Sequence, residues 1–386
     1  MEKNEKFQIV NGIDRIDRYS HLFERKRLGL ITGPTGLNKQ LKSTVDLFSE
    51  RYDLKALYSP EHGVRGNLQA GAHVDTYVDE GTGITVYSLY GDHRKPVPEM
   101  LKDIDVLVMD IQDIGSRYYT YLYTMSYCME ACAQNDKRFV YLDRINPIGG
   151  VEVEGGILDA KYASFVGMYP IPPRYGLTAG ELAMFFNREF DIGCELEVVK
   201  AEGWTRDMYF KDTDLLWVNP SPNMTSMDTA ILYNGTCLFE GTNISEGRGT
   251  TRPFEMIGAP WLDPYRLADR MNSLSLAGVL FRPVFFEPAF SKHKGQLCRG
   301  VQVHITDYRA VRPLEIGIRL LYAIMDADPG QFEWIPPHRE NGRCFIDLLA
   351  GGEDVRLRRY EADGLLEKWR GESLRFKARK ERYHLY

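Results

Sequence analysis

The sequence predicts an α/β fold with a doubly wound, mostly parallel sheet and a smaller α+β C-terminal domain. In the first half of the chain, short apolar runs are each followed by a polar or glycine-rich turn and a segment of helical periodicity. Residues 104–111 form a near-continuous apolar run, which is typical of a strand covered by helices on both faces. Such strands alternating with helices indicate a Rossmann-like sheet.

The elements of the first half follow from these runs and from one local signal. Thr178 and Glu181 match a capping box, in which each side chain binds the other residue's backbone amide, and they predict the start of a helix. Helices are also predicted at 38–52 and 118–133. Strands are predicted near residues 26–32, 54–59, 85–91, 104–111 and 138–144.

The segment 217–224, WVNPSPNM, predicts the connection between two domains. Its two prolines and two asparagines are incompatible with a helix interior. We expect a Rossmann-like catalytic domain at 1–228 and an α+β domain at 229–386 that completes the active-site cleft. The second domain is predicted to contain a helix opened by Asp263, strands at 279–286 and 301–306, a helix at 313–326 and a charged helix from about 361.

Composition excludes several classes of function. A formal net charge of -6 argues against the basic surface that a nucleic-acid partner needs. No apolar run is long enough to span a bilayer, and the N-terminal residues alternate charges where a signal peptide needs an apolar region. We therefore expect a cytoplasmic protein, or a secreted or periplasmic one if a leader has been removed. The six cysteines include no CxxC pair, which predicts buried, reduced thiols and no metal site.

Polar side chains follow the predicted strands, where open α/β sheets bind ligands. Glu61, in the glycine-bounded turn SPEHG, is the first candidate for proton transfer, because a carboxyl group on such a turn can approach a substrate closely. His62 is a candidate to orient it. The alternative is that Glu61 caps the turn and that His62 is structural. The other polar residues at strand ends are Thr32, Thr35, Asp110, Gln112, Asp113, Asp143, Arg144 and Asn146.

Three further regions supply candidate site residues. Asp113 ends a buried strand, where a carboxylate needs either hydrogen-bond partners or a function, and it could also cap the next helix. Arg117 could bind an anionic substrate group or form an internal ion pair. Residues 237–255 place charged and amide side chains among glycines, which predicts either a ligand-binding loop or a surface loop held by its own ion pairs. His304 is a candidate for the cleft, or a packed strand histidine. No glycine motif for nucleotides occurs in context, so we expect no cofactor.

Several long strings resemble one known family. They are SPEHGVRGNLQAG, DIQDIGSRYYTYLYTM, LDRINPIGG, YPIPPRYGLTAGELA, NPSPNM and CLFEGTNISEGRGTTRPFE. From about residue 27 onward, the chain resembles the NamZ-type exo-β-N-acetylmuramidase family of glycoside hydrolases. The resemblance implies a cleft between a Rossmann-like domain and a smaller C-terminal domain, and release of N-acetylmuramic acid from the non-reducing end of peptidoglycan fragments.

The resemblance also implies roles for individual residues. The glutamate of SPEHG, here Glu61, is implied as the catalytic carboxyl group, and Asp113 and Glu246 as further catalytic residues. The lactyl carboxylate of N-acetylmuramic acid predicts a guanidinium group in the pocket, and Arg117, Arg174 and Arg248 are the candidates. Substrate binding is also expected of Asn146, Asn223, Asn243 and His304.

Two other functions are compatible with the same cleft. A non-catalytic protein could bind muropeptides there, and a transferase could use a sugar nucleotide on a doubly wound sheet. Release of sugar from a chromogenic muramide, lost in Glu61→Gln, distinguishes a hydrolase from a binding protein. A rise in melting temperature with UDP-sugars would instead favour the transferase, because a ligand that binds the native state stabilises it.

Overall fold

The N-terminal part of the chain is built on a large sheet. The computed structural model describes residues 6–61, 63–66, 76–90, 94–337, 339–340 and 342–386. The strands of this sheet are β1 Arg27–Thr32, β2 Asp53–Ser59, β3 Tyr77–Val78, β4 Thr85–Ser88, β5 Val106–Asp110, β6 Arg138–Leu142 and β7 Glu195–Val199. Within the described ranges they pair in the order β3-β4-β2-β1-β5-β6-β7, and every pairing is parallel except that of β3 with β4.

Two of the helices in this part begin at a side chain that caps their first turn. The helices are α1 Thr44–Arg51, α2 Pro98–Leu101, α3 Tyr121–Gln134 and α4 Ala179–Glu189. At α4 the Thr178 hydroxyl accepts from the Glu181 amide at 3.2 Å, and the Glu181 carboxylate accepts from the Thr178 amide at 2.9 Å. The predicted capping box is confirmed.

Several elements differ from the sequence-based expectation, among them α1 and β7. Helix α1 begins six residues later than predicted, because Asn38 Oδ1 accepts from the amides of Gln40 and Lys42 and forms a turn there. Ser43 then caps the helix by accepting from the Asp46 amide. Strand β7 was not predicted, because its outer residues alternate between exposed and half-buried positions at the sheet edge and form no continuous apolar run.

The C-terminal part combines a small sheet with helices. Its elements are α5 Met227–Thr236, β8 Met256–Ala259, α6 Pro264–Ser273, β9 Val279–Phe286, β10 Cys298–Ile305, α7 Pro313–Ala327, α8 Phe345–Ala350 and α9 Ala362–Lys380. Strand β10 pairs antiparallel with both β8 and β9. Asp263 caps α6 as predicted. The mostly parallel large sheet, together with a smaller C-terminal part made of an antiparallel sheet and helices, confirms the predicted fold class.

One hydrophobic core joins the two parts. A single cluster of buried side chains runs from Ile31 and Leu107 in the large sheet to Ile257 in β8 and Leu321 in α7. Helix α9 also packs against the N-terminal part, where the Ser373 hydroxyl donates to the Gly155 carbonyl at 2.8 Å. Shared burial of this kind holds the two parts in a fixed relative position.

Two further expectations concerned the burial of the cysteines and the lack of a helix able to cross a membrane. All six cysteines are free, and five of them are buried. The prediction of a buried thiol is wrong for Cys344, which is half-buried because it precedes α8 near the surface. Among the helices that the structure describes, none combines the length and the apolar composition needed to cross a bilayer.

Candidate active site

An open cavity of about 480 Å³ lies where loops of the two parts meet. The walls come from the loop after β2, the start of α3, the segment 217–224 and the loop before β8. The lining residues are Glu61, Tyr118, Tyr119, Thr120, Tyr121, Ser221, Asn223, Met224, Tyr233, Arg248 and Phe254.

Glu61 enters the cavity two residues after the end of β2. The Thr120 hydroxyl donates to Glu61 Oε2 at 3.2 Å. The Tyr121 hydroxyl donates to the Pro220 carbonyl at 2.9 Å and approaches the Glu61 carbonyl at 3.4 Å, so it ties the Glu61 turn to the segment 217–224. Burial and the nearby Glu61 carboxylate raise the pKa of Tyr90 to about 12. His62, predicted to orient Glu61, lies outside the described residues.

Arg248 reaches the cavity from the C-terminal part. One terminal nitrogen, Nη2, donates to Glu240 Oε1 at 2.7 Å, and Nε lies 3.3 Å from Glu246 Oε1. The guanidinium carbon lies 5.0 Å from the centre of the Phe254 ring, which adds a cation–π contact. No acceptor for the other terminal nitrogen, Nη1, occurs within the described part of the chain. Arg248 is therefore oriented by protein groups and keeps one donor for a ligand.

Two glycines make the position of Arg248 possible. Gly247 and Gly249 have φ angles of 78° and 82°, which favour glycine over residues with a side chain. A Cβ atom at Gly247 would lie 2.7 Å from the Met256 carbonyl oxygen, and one at Gly249 would lie 2.6 Å from that of Phe290. The loop thus packs closely on β8 and on the β9–β10 connection while it presents Arg248 to the cavity.

Glu246 lies behind Arg248, with an exposed fraction of only 2%. Its Oε2 accepts from Lys292 Nζ at 2.8 Å. Glu240 is the second carboxylate of this cluster, and burial raises its pKa while Arg248 opposes the rise. Glu246 therefore contacts two cations, Arg248 and Lys292, and the catalytic role that the resemblance implied for it stays a prediction. Residues 241–247 are also largely buried, so the alternative of a surface loop is wrong.

Aromatic rings form the remaining wall. Tyr233 makes edge-to-face contacts with Tyr118, Tyr119 and Phe254 at centroid distances of 6.0, 6.5 and 4.7 Å. Interlocked rings of this kind form a wall that resists deformation. The sequence suggested that Tyr118 and Tyr119 could stack on sugar rings, but Tyr233 was not predicted because it lies in the apolar pattern of α5.

The segment 217–224 contributes to the site as well as connecting the two parts. Ser221 and Asn223 line the cavity, and Trp217 Nε1 donates to the Met224 carbonyl at 3.2 Å, which holds the segment in a compact turn. Of the predicted substrate-binding residues, Asn223 and Arg248 thus line the same cavity as Glu61.

The polar residues at the other strand ends bind one another. Arg144 donates to Asp110 Oδ1 and Oδ2 at 2.7 and 2.9 Å, in a bidentate ion pair. Asp143 accepts from the Thr178 and Tyr386 hydroxyls at 2.7 and 2.8 Å, and burial raises its pKa to about 7. The expected convergence at the carboxyl ends occurs, but these carboxylates serve the fold, because a buried charge requires such partners.

Asp113, a predicted catalytic residue, is absent from the cavity lining formed by described residues. Its Oδ2 accepts from the Gly115 amide at 2.7 Å and from the Tyr175 hydroxyl. Burial raises the pKa of Asp113 to about 6. It caps its own loop and not the following helix, while Oδ1 has no hydrogen-bond partner among the described residues, so its catalytic role stays a prediction.

Two of the three predicted carboxylate-binding arginines are enclosed by protein. Arg117 is 0% exposed, and its guanidinium donates to the carbonyls of Gly156, Ile171 and Leu349 at 3.1, 2.8 and 2.5 Å. Arg174, also 0% exposed, pairs with a glutamate and donates to a carbonyl and a tyrosine hydroxyl. The terminal nitrogens of both arginines bind groups inside the protein, whereas Nε of each has no partner among the described residues, so substrate binding by either stays a prediction.

Three further predicted binding residues are placed away from the cavity lining. Asn146 Nδ2 donates to the Leu177 carbonyl at 2.8 Å, which joins two loops. Asn243 binds the backbone of residues 331 and 333 at 2.7 and 3.1 Å. His304 is exposed on β10, where Arg282 Nε approaches its Nε2 at 3.4 Å. None of the three appears among the described lining residues of this cavity, and their roles in substrate binding stay predictions.

Replacing Arg117 tests the structural interpretation of this residue. In Arg117→Met, three buried carbonyls lose their donor, so we expect the free energy of unfolding to fall by about 3 kcal/mol. Chemical denaturation measures this change. The ratio of dissociation constants for N-acetylglucosamine and N-acetylmuramic acid, measured by calorimetry on the folded protein, should stay unchanged. Arg252→Met, at a more exposed position, is the matched control. A changed ratio with unchanged stability would restore Arg117 as a ligand-binding residue.

Other depressions lie elsewhere in the described structure. One, of about 580 Å³, is lined by Arg144, and a groove of about 1320 Å³ runs between α7 and α9 and includes Arg319. Arg144 is paired with Asp110, and Arg319 with Glu315. Arg248, in contrast, retains an unused donor in the same cavity as the Glu61 carboxyl group. The cavity lined by Glu61 and Arg248 is therefore the better candidate for the active site. Among the described residues, no group of three or more His, Cys, Asp or Glu side chains could hold a metal ion.

Comparisons with known proteins agree with the resemblance noted in the sequence. Residues 28–228 and 231–386 match the N-terminal and C-terminal models of the exo-β-N-acetylmuramidase NamZ family. The peptidoglycan β-N-acetylmuramidase NamZ of Bacillus subtilis (strain 168) is 50% identical over 354 residues, which cover 91% of this chain and 84% of that protein.

Two solved structures of DUF1343 family proteins from Bacteroides fragilis NCTC 9343 share the fold. The first has a TM-score of 0.90 and 40% identity and covers 99% of this chain and 100% of its own. The second has a TM-score of 0.76 and 31% identity, with coverages of 98% and 99%. The family models, the curated relative and the shared fold show that the chain belongs to the exo-β-N-acetylmuramidase NamZ family.

Proposed function

We propose that the chain is a glycosidase that releases N-acetylmuramic acid from the non-reducing end of peptidoglycan fragments, and that the cavity lined by Glu61, Asn223 and Arg248 is its active site. The observation that carries the proposal is that Glu61 and Arg248, which are remote in the sequence, line one cavity. A carboxyl group can protonate the leaving oxygen, and a guanidinium group with an unused donor can bind the lactyl carboxylate.

Glu61 is the proposed general acid. Cleavage of a glycosidic bond requires a proton on the leaving oxygen as its bond to the anomeric carbon breaks, and a carboxyl group normally supplies it. Water provides the hydroxyl group of the released sugar. The hydrogen bond from Thr120 and the Tyr121 contact with the Glu61 backbone hold the carboxyl group in one orientation. Fixed orientation is what an efficient proton transfer needs.

Arg248 is the proposed partner of the lactyl carboxylate. Charge-assisted hydrogen bonds between a guanidinium and a carboxylate are short and about twice as strong as neutral ones. Glu240 and Glu246 occupy two of the three nitrogens, which leaves Nη1 for the substrate. N-acetylglucosamine has no lactyl group, so this contact would favour muramic acid over it.

The test uses two disaccharides that differ in the order of their sugars. We expect free N-acetylmuramic acid from the disaccharide with N-acetylmuramic acid at its non-reducing end, detected by chromatography. The disaccharide with N-acetylglucosamine in that position should remain intact. Binding without release would support the muropeptide-binding alternative, and release that depends on an added UDP-sugar would support the transferase.

A further inference from the structure

Lys292 is half-buried beside Glu246, the residue that contacts Arg248. Its ammonium group donates to the carbonyls of Phe239 and Ile244 at 2.7 and 2.9 Å and to Glu246 Oε2 at 2.8 Å. These three acceptors satisfy all the donors of the ammonium group. Lys292 therefore joins the β9–β10 connection to the loop that carries Arg248.

The backbone around Lys292 is strained. Ser291 and His293, on either side of it, have φ angles of 70° and 55°, in the left-handed region that residues other than glycine rarely adopt. Such conformations cost energy and persist where surrounding contacts compensate for them, often at functional sites. The His293 ring binds the Asn243 carbonyl at 2.7 Å, and the Ala289 amide donates to the Gly249 carbonyl at 2.9 Å. The strained turn is thus attached to both ends of the Arg248 loop.

The charges of the cluster balance. Glu240 and Glu246 carry two negative charges, and Arg248 and Lys292 carry two positive ones. Without Lys292 the cluster would have a net negative charge next to the cavity, and Glu246 would retain Arg248 as its one remaining ion-pair partner among the described residues. Both effects weaken binding of an anion at Arg248, because like charges repel at short range in a partly buried site.

We propose that Lys292 is a positioning residue that sets the specificity of the cavity for substrates with a carboxylate. It neutralises Glu246, and Arg248 therefore keeps Nη1 available for the substrate. This inference rests on the proposed function, since it assumes that the bound sugar carries the lactyl carboxylate. It adds a residue that does not line the cavity and that has no counterpart among the residues predicted from the sequence.

The experiment compares Lys292→Met with Lys294→Met by calorimetry. Lys294 is exposed and only two residues away, so both variants lose the same formal charge. We expect Lys292→Met to weaken binding of N-acetylmuramic acid on the order of tenfold. Binding of N-acetylglucosamine, which lacks the carboxylate, should change little. Lys294→Met should bind both sugars like the unmodified protein, and Lys292→Arg should recover most of the lost affinity.

A purely structural role of Lys292 predicts a different pattern of affinities for the two sugars. If Lys292 only supported the fold, Lys292→Met would weaken binding of both sugars equally, and this outcome would overturn the inference. Equal affinity of Lys292→Met and the unmodified protein for N-acetylmuramic acid would overturn it too, while leaving the proposed function intact. If the unmodified protein neither binds nor releases N-acetylmuramic acid, the proposed function itself fails.

A double variant separates the electrostatic role from a structural one. Glu246→Gln removes the charge that Lys292 neutralises. In the Glu246→Gln background, Lys292→Met should therefore cause a much smaller loss of affinity for N-acetylmuramic acid than it does alone. An undiminished tenfold loss in the double variant would show that Lys292 does not act through Glu246.

Discussion

Glu61→Gln should lower kcat for release of N-acetylmuramic acid by roughly 10²–10⁴-fold, the usual contribution of a general acid or base. Glutamine keeps the shape of the side chain and can still accept the hydrogen bond from Thr120, but it cannot donate a proton to the leaving oxygen. Because Glu61 lies at the wall of an open cavity, the melting temperature should change little. A coupled assay of free sugar measures the rate.

The choice of leaving group identifies the role of Glu61. A nitrophenyl muramide has a weakly basic leaving group that departs without a proton. If Glu61 is the general acid, Glu61→Gln should lose far less activity on the nitrophenyl substrate than on the natural disaccharide. An equal loss on both substrates would assign Glu61 a different role, such as that of a nucleophile. Thr120→Val, which removes only the hydrogen bond to Oε2, should retain most of the activity on both.

Arg248→Lys should raise KM for muramic acid substrates by roughly 10–100-fold, with a smaller effect on kcat. A guanidinium group can hold Glu240, Glu246 and a ligand carboxylate with separate nitrogens, whereas an ammonium group lacks this planar fork. The variant keeps the positive charge, so neither buried glutamate is left without a cation. The stability should therefore change far less than in Arg248→Ala, where loss of one partner of a buried ion pair costs about 3–5 kcal/mol.

The control for Arg248→Lys is a sugar without the lactyl carboxylate. Affinity for N-acetylglucosamine should stay close to that of the unmodified protein. If affinities for both sugars fall together, Arg248 supports the shape of the cavity and does not recognise the carboxylate. Steady-state kinetics and calorimetry on the same preparation distinguish the two cases, because uniform binding affects KM and leaves kcat unchanged.

Much of the fold could be predicted because its signals are local. The apolar runs of β1, β5 and β6 and the capping box at Thr178 depend on residues close together in the chain. Strand β7 was not predicted because an edge strand of half-exposed residues lacks a continuous apolar run. The start of α1 was misplaced because Asn38 forms a turn with its neighbours in competition with the helix.

The site could be predicted in part. Glu61 and Arg248 were candidates because a carboxyl group follows a strand in a glycine-bounded turn and because charged residues lie among the glycines of 237–255, and both line the cavity. Lys292 and Tyr233 were not found, since a lysine near the surface and a tyrosine in an apolar helix carry no distinctive local pattern. Their importance depends on neighbours that lie far away in the sequence.

The sequence by itself determined the fold class and the family, and it made Glu61 the first candidate for the catalytic carboxyl group. Only the tertiary structure decided which arginine faces the cavity. Arg117 and Arg174 are as charged as Arg248, but the carbonyls that surround Arg117 come from segments as distant as Leu349. Whether a guanidinium binds a substrate depends on which acceptors the fold brings to it, and that is a property of long-range packing.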